Sequence, residues 1–203
     1  YESAMNGNIY TTTATDKEYA MQTIGIYGRV SKSFGWAKTL IGLGASHNIT
    51  DYSMLVSGIV NDARMNTTAV SFDYSLRPAR FLSIEGKSNV NIYKQKNLTS
   101  SELSSAPTTD WEHFLKLYVF HAKGWMLSVK NELFHTNDKS IGINHFLDLA
   151  IAYKAKRWEF SVTANNLIGT SEFERRTLGN TIESYSITRL RPREVLAKWS
   201  MDL

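Results

Sequence analysis

The sequence predicts an all-β chain, an antiparallel up-and-down sheet of the kind from which membrane-spanning barrels are built. Three observations predict it. Short segments alternate apolar and polar residues with a period of two, the signature of strands with one greasy and one wet face. The connections between them are alternately very short and long. Aromatic residues, ten Tyr, nine Phe and five Trp, run along the whole chain, and aromatics favour strands.

Reading the alternation in order gives about nine strands, near 17–32, 37–53, 67–77, 80–94, 110–121, 124–135, 143–154, 157–167 and 184–203. In the third, Val70, Phe72, Tyr74 and Leu76 oppose Ser71, Asp73 and Ser75. The strand at 110–121 is ambiguous, because Phe114, Tyr118 and Phe120 compete with Leu115, Leu117 and Val119 for the apolar face. At 143–154 Leu147, Leu149, Ile151 and Tyr153 alternate with Asp148, Ala150, Ala152 and Lys154. At 157–167 Trp158, Phe160, Val162 and Ala164 oppose Glu159, Ser161, Thr163 and Asn165. The last strand sets Val195, Ala197, Trp199, Met201 and Leu203 against Glu194, Lys198, Ser200 and Asp202, with Leu196 off the pattern.

Tight turns are expected at Ser33-Phe34-Gly35, Arg77-Pro78-Ala79-Arg80, Ala122-Lys123-Gly124 and Ala155-Lys156-Arg157. Long polar loops are expected at 54–66, 95–109, 136–142 and 168–183. Strict alternation of the two implies that every strand reverses the one before it. Outer-membrane barrels put short turns on the periplasmic side and long loops outside. Trp36, Trp125 and Trp158 each open a strand after a short turn, and Trp199 nears the end of the last, so all four are expected at one rim, as an interfacial aromatic girdle. A soluble β-sandwich also alternates and buries Trp. Against it stand strands of roughly 12 residues, long for a sandwich but suited to the roughly 9–11 tilted residues that cross a bilayer.

Composition bounds the rest. With 203 residues the chain suits one domain. No apolar run approaches the roughly 18–20 residues of a membrane helix, and no secretory signal pattern opens the chain. With no Cys, disulfides, thiolate metal sites and Cys nucleophiles are excluded. The formal charge of +4 and pI near 9.2 come from scattered Lys and Arg, so no nucleic-acid partner is expected.

At the C-terminal end, Ala164-Asn165-Asn166-Leu167-Ile168 resembles the segment that ends the penultimate strand of TonB-dependent outer-membrane receptors, and Leu190-Arg191-Pro192-Arg193-Glu194-Val195-Leu196 resembles the entry to their last strand. Leu76-Arg77-Pro78-Ala79-Arg80-Phe81-Leu82-Ser83-Ile84-Glu85 is similar to a strand-turn-strand pattern of the same barrels. The likeness covers most of 17–203, is strongest over 157–203, and matches only the downstream part of such a receptor, without plug or TonB box. Two departures stand out: Leu203 closes the chain where the family commonly has Phe, and Ile168 replaces the commoner Phe.

The resemblance implies the C-terminal portion of a barrel of about 22 strands in the cell outer membrane, with residues 1–16 as an external loop or the end of an upstream strand. An odd strand number cannot close a bacterial barrel, so a fragment is expected. It implies import of a bulky nutrient, such as a glycan, metal chelate or vitamin, with substrate met at 54–66, 95–109 and 168–183. Implied partners are outer-membrane lipid, the barrel-assembly machinery reading Trp199, Met201 and Leu203, and the TonB complex through an N-terminal part outside this chain. Asn165, Asn166, Leu167, Arg191, Pro192, Arg193 and Glu194 carry the motif. Other readings are a non-transporting surface barrel or adhesin, a soluble β-sandwich binding domain, and a barrel enzyme.

No catalytic, cofactor or metal residue is expected. No Gly-x-Ser-x-Gly elbow occurs, and Gly42-Leu43-Gly44 reads as close packing or a kink in a strand. His113 with His121, and His135 with His145, lack metal-ligand spacing and read as solvated or rim histidines. Glu85, Glu132, Asp148 and Glu159, with Lys87, Lys130, Lys154 and Lys198, are expected on wet faces lining a lumen.

Overall fold

The computed structural model describes residues 2–6, 9–13, 21–56, 59–99, 104, 106–178, 183–190 and 192–201, and side chains for these except within 2–13, 54–59, 176–178 and at 183. Its strands in chain order are β1 (Glu2–Asn6), β2 (Ile9–Thr13), β3 (Met21–Phe34), β4 (Thr39–Val56), β5 (Ile59–Ala79), β6 (Leu82–Asn97), β7 (Thr108–Phe120), β8 (Trp125–Thr136), β9 (Asn144–Lys154), β10 (Trp158–Asn165), β11 (Glu172–Leu178), β12 (Glu183–Arg189) and β13 (Glu194–Met201). Nine of them, β3 to β10 and then β13, pair in sequence order as an antiparallel meander. The sheet is open: β3 pairs only β4 and β13 pairs only β10, leaving two outer edges without a partner among the described residues. The β1–β2 hairpin runs beside the far end of β4, in parallel at Glu2 and Ser3. β11 and β12 form a separate two-stranded ribbon.

Residues directly opposite in an antiparallel ladder share a face, so the registers sort the side chains. One face carries Ile24, Ile26 and Val30 on β3, then Ile41, Leu43 and Ala45 on β4, and Val70, Phe72, Tyr74 and Leu76 on β5. It continues through Ile84 and Val90 on β6 to Leu115, Leu117 and Val119 on β7 and Leu127 and Val129 on β8. It ends with Leu147, Leu149, Ile151 and Tyr153 on β9, Phe160 and Val162 on β10, and Ala197 and Trp199 on β13. These side chains are exposed or half-exposed, Val30 at 74% and Ile26 at 73% most of all. A continuous exposed apolar surface of this size marks contact with a partner or a membrane. Among the described residues, Thr39 at the start of β4, which bonds Trp36 O, is buried on the apolar face, whereas the buried strand positions Tyr52, Ala63, Ser83, Asn97, Thr108 and Asn144 lie on the other face, as they do when a sheet curls towards that side.

The register resolves the ambiguity at 110–121. Leu115, Leu117 and Val119 take the apolar face, and Phe114, Tyr118 and Phe120 the polar one. Three expectations need correction. Of the loop expected at 54–66, residues 54–56 and 59–66 are strand, since β4 and β5 stay paired to Val56 and Ile59, and 57–58 lie outside the described residues. Polar cross-strand pairs carry this extension, Arg64 bonding Asp51 through two nitrogens at 2.7 and 2.8 Å and Ser53 Oγ donating to Asp62 at 2.6 Å. The loop at 168–183 and the single last strand 184–203 are likewise redrawn as the β11–β12 ribbon followed by β13. Pro192, which has no N–H to donate, sits in the break between β12 and β13, and Leu190 N–H closes the ribbon base on Ser171 O at 2.9 Å.

The short connections lie at one end. Arg80 and Phe81 join β5 to β6 after a bulge at Arg77 and Pro78. Gly124, at φ +85°, turns β7 into β8, and a Cβ there would stand 2.3 Å from Lys154 O, so only glycine fits. Trp36 falls within a 3₁₀ turn, Trp36–Lys38, rather than opening β4. At this end Trp125, Tyr153, Phe160 and Trp199 stand directly opposite one another across β8, β9, β10 and β13. Trp125 and Tyr153 rings lie 4.7 Å apart, and Tyr153 and Trp158 5.2 Å.

Candidate functional site

The polar face is where chemistry collects. Glu85, Lys116, Lys130 and Asp148 follow one another across β6, β7, β8 and β9 in one row, two neighbouring lysines flanked by a carboxylate on either side. In the next row Lys87 faces Phe114, Glu132 and Phe146. Lys130 pairs with Glu132 along its own strand. Glu159 stands opposite Lys154, and Lys198 opposite Ser161. All eight charged residues that the sequence assigns to a wet surface therefore share this face. A depression lined by Glu85, Lys87, Phe114, Lys116, Lys130 and Glu132 opens on it.

Two glycines make room for a longer-range pair. Arg29 on β3 reaches over β4 to Asp73 on β5, Nη2 to Oδ1 2.8 Å. The side chains pass across Gly42, where a Cβ would stand 2.6 Å from the Asp73 carboxylate, and Gly44, where it would stand 2.7 Å from Ser71 Oγ. Close packing, one of the two readings given to Gly42-Leu43-Gly44, is what these contacts describe.

At the long-connection end the ribbon folds against the polar face. Phe173 of β11 meets Phe134 edge-on at 5.4 Å and Phe146 at 6.1 Å, and Phe134 in turn meets Phe114 at 5.4 Å. Asn144 holds the ribbon backbone from both sides, its Nδ2 donating to Glu174 O at 2.9 Å and its Oδ1 accepting from Glu174 N–H at 3.2 Å. The cleft between ribbon and sheet is lined by Asp110, Glu112, Phe134, Ile141, Glu174 and Arg175, among others. Asp110 lies beyond the apolar stretch of β7. Burial holds its carboxyl above the usual range, against the opposing effects of a Thr136 hydrogen bond and the Arg175 charge.

The two C-terminal motifs converge. Asn165 stands opposite Glu194 at the top of β10 and β13. Asn166, at φ 52°, turns the chain out of β10. Its N–H donates to Asp148 Oδ1 at 2.8 Å, its Nδ2 to Thr170 O at 2.8 Å, and its Oδ1 accepts from Thr170 N–H at 3.0 Å. Leu167 N–H donates to Leu147 O at 2.8 Å. Arg193 Nη2 donates to Ile168 O at 3.1 Å, tying one motif to the other, while Pro192 is exposed in the connection before β13. The motif residues thus clamp the base of the ribbon rather than line the cleft. Trp199 and Met201 are exposed on the apolar face of β13, and Arg191 and Leu203 lie outside the described residues.

Of the segments expected to meet substrate, 168–183 supplies the ribbon and its cleft. The segment 95–109 contributes strand ends at both sides, and Leu98 N–H bonds Asp62 O at 2.7 Å. Sequence reasoning missed Asp110, Glu112, Phe173 and Arg175. Phe173, one aromatic between charged residues, was the available signal for a docked ribbon. Comparison with protein-family models, with curated proteins and with solved structures found no match.

Proposed function

We propose that this chain is the C-terminal segment of an outer-membrane β-barrel, in a receptor of the TonB-dependent kind that takes up a bulky nutrient such as a glycan, a metal chelate or a vitamin. The observation that carries this reading is the two-faced meander, its outer surface apolar over consecutive alternate positions of all nine strands and its inner surface charged. From the short-turn ends to the last apolar positions the strands rise about 20–25 Å at the usual tilt, close to the apolar band of such barrels. The aromatic row at the short-turn end supports the same orientation.

The open edges of β3 and β13 support a larger closed barrel. In lipid each unsatisfied backbone group costs several kcal/mol, so further strands must pair both edges, to the even number that closure requires. In this reading Trp199 and Met201 are read by the assembly machinery, and the TonB complex acts through an N-terminal part. The charged inner face and the cleft under the ribbon meet the cargo, and no catalytic step belongs to the chain.

The test is uptake by cells from which this segment has been deleted, using labelled glycans, metal chelates and vitamins. The expected result is loss of one class of uptake, a loss reproduced in intact cells by collapsing the proton gradient. Unchanged uptake of all three classes contradicts the proposal.

A further inference from the structure

Four of the five histidines occupy one narrow belt. His47 on β4, His113 on β7, His135 on β8 and His145 on β9 all stand on the apolar face. Each lies seven to ten residues from the short-turn end of its strand. At about 3.3 Å per residue and a tilt near 40°, that places all four roughly 18–25 Å above that end, at the far border of the apolar band. Lys94 and Lys96 stand exposed on the same face of β6, just beyond the border.

The rings are held and aimed. His47 Nδ1 lies 2.8 Å from Thr68 Oγ1, and His113 Nδ1 3.0 Å from Ser88 Oγ. His145 Nε2 lies 2.7 Å from Asn131 Nδ2, and His135 stacks on Trp111 at 4.7 Å. Among the described residues, the second nitrogen of each of the three bonded rings takes no hydrogen bond. The charge of the surface is also sorted. Eight carboxylates of the meander, from Asp73 to Glu194, lie on the polar face. On the apolar face, among the described residues of the meander, the carboxylates are Asp51, level with Lys96 and bonded to Arg64 between them, and Asp62, beyond the belt and bonded to Ser53.

We infer that this belt, His47, His113, His135, His145, Lys94 and Lys96, binds the phosphate groups of lipids in the outer leaflet. The inference rests on the barrel reading above. N–H donors with net positive charge ring the depth at which an apolar band gives way to headgroups, and phosphate is the anionic acceptor of that layer. Trp111 among them is the residue type that settles at this interface.

The experiment uses the full-length protein that contains this chain, reconstituted in vesicles of phosphatidylcholine alone or mixed with phosphatidic acid. It reads the temperature at which the compact band of an unheated gel sample is lost. The expected result is a rise of several degrees in phosphatidic acid, cut to less than half by H47L/H113L/H135L/H145L and reduced by K94Q/K96Q. No rise, or an equal rise in both variants, overturns the inference while leaving the barrel reading intact. An equal rise from inorganic phosphate in phosphatidylcholine also overturns it, because lipid is then not the source. If the quadruple variant does not fold, the lysine variant alone decides. Absence of any compact, membrane-inserted band in either vesicle removes the barrel reading and this inference with it.

Discussion

At the residue scale the sheet depends on a few close approaches. Tyr74 lies over Gly86, where a Cβ would stand 2.3 Å from the ring. Gly86→Ala therefore forces the ring off its seat and is expected to cost about 1–3 kcal/mol, as overpacking generally does. With Tyr74→Ala the same change is expected to cost far less, and denaturant titration of both backgrounds measures the difference. Asn166 combines a positive φ with bonds to Asp148 and Thr170. Asn166→Ala loses the side-chain bonds and strains the backbone, a loss of about 2–4 kcal/mol, whereas Asn166→Gly relieves the strain and falls between it and the parent. The charged residues of the polar face were legible in the sequence because period-two alternation puts every second residue on one face. Asp110, Glu112 and Arg175 were not, since only the fold of the ribbon brings them to one cleft.

Among the elements, the ribbon is the least anchored. Phe173 of β11 supplies its apolar contact with the sheet, and Asn144 its polar one. Phe173→Ala is expected to weaken docking by about 1–2 kcal/mol, the value of a half-buried aromatic side chain. Proteolysis should then cut within 172–189 faster while β3 to β10 stay protected, and unchanged cleavage would show the ribbon held by other contacts. Strand positions were readable wherever apolar residues marked one face, as in β5 and β9. Reading failed where the ladder leaves that band. The outer halves of β4 and β5 pair through Asp51, Arg64, Ser53 and Asp62, which the alternation of apolar residues does not flag. β12 and β13 both alternate, so alternation alone does not separate them, and Pro192 between them marks the break.

For the whole molecule, one apolar face, one charged face and two open edges go together; in the proposed reading further strands pair those edges and the apolar face turns to lipid. Composition and alternation made the class of the fold readable. Closure was not readable, because it depends on what pairs β3 and β13. The central claim, that the apolar face meets lipid, is tested most directly by single cysteines, which the Cys-free chain accepts without background. Cysteines at Val129 and Leu149 on one face, and at Lys130 and Asp148 on the other, would be probed in the membrane-embedded protein. A water-soluble maleimide reports one environment and quenching by a lipid-borne nitroxide the other. The account predicts that Val129 and Leu149 are quenched and unlabelled, while Lys130 and Asp148 are labelled and unquenched. Equal labelling of all four, with no quenching, would contradict it.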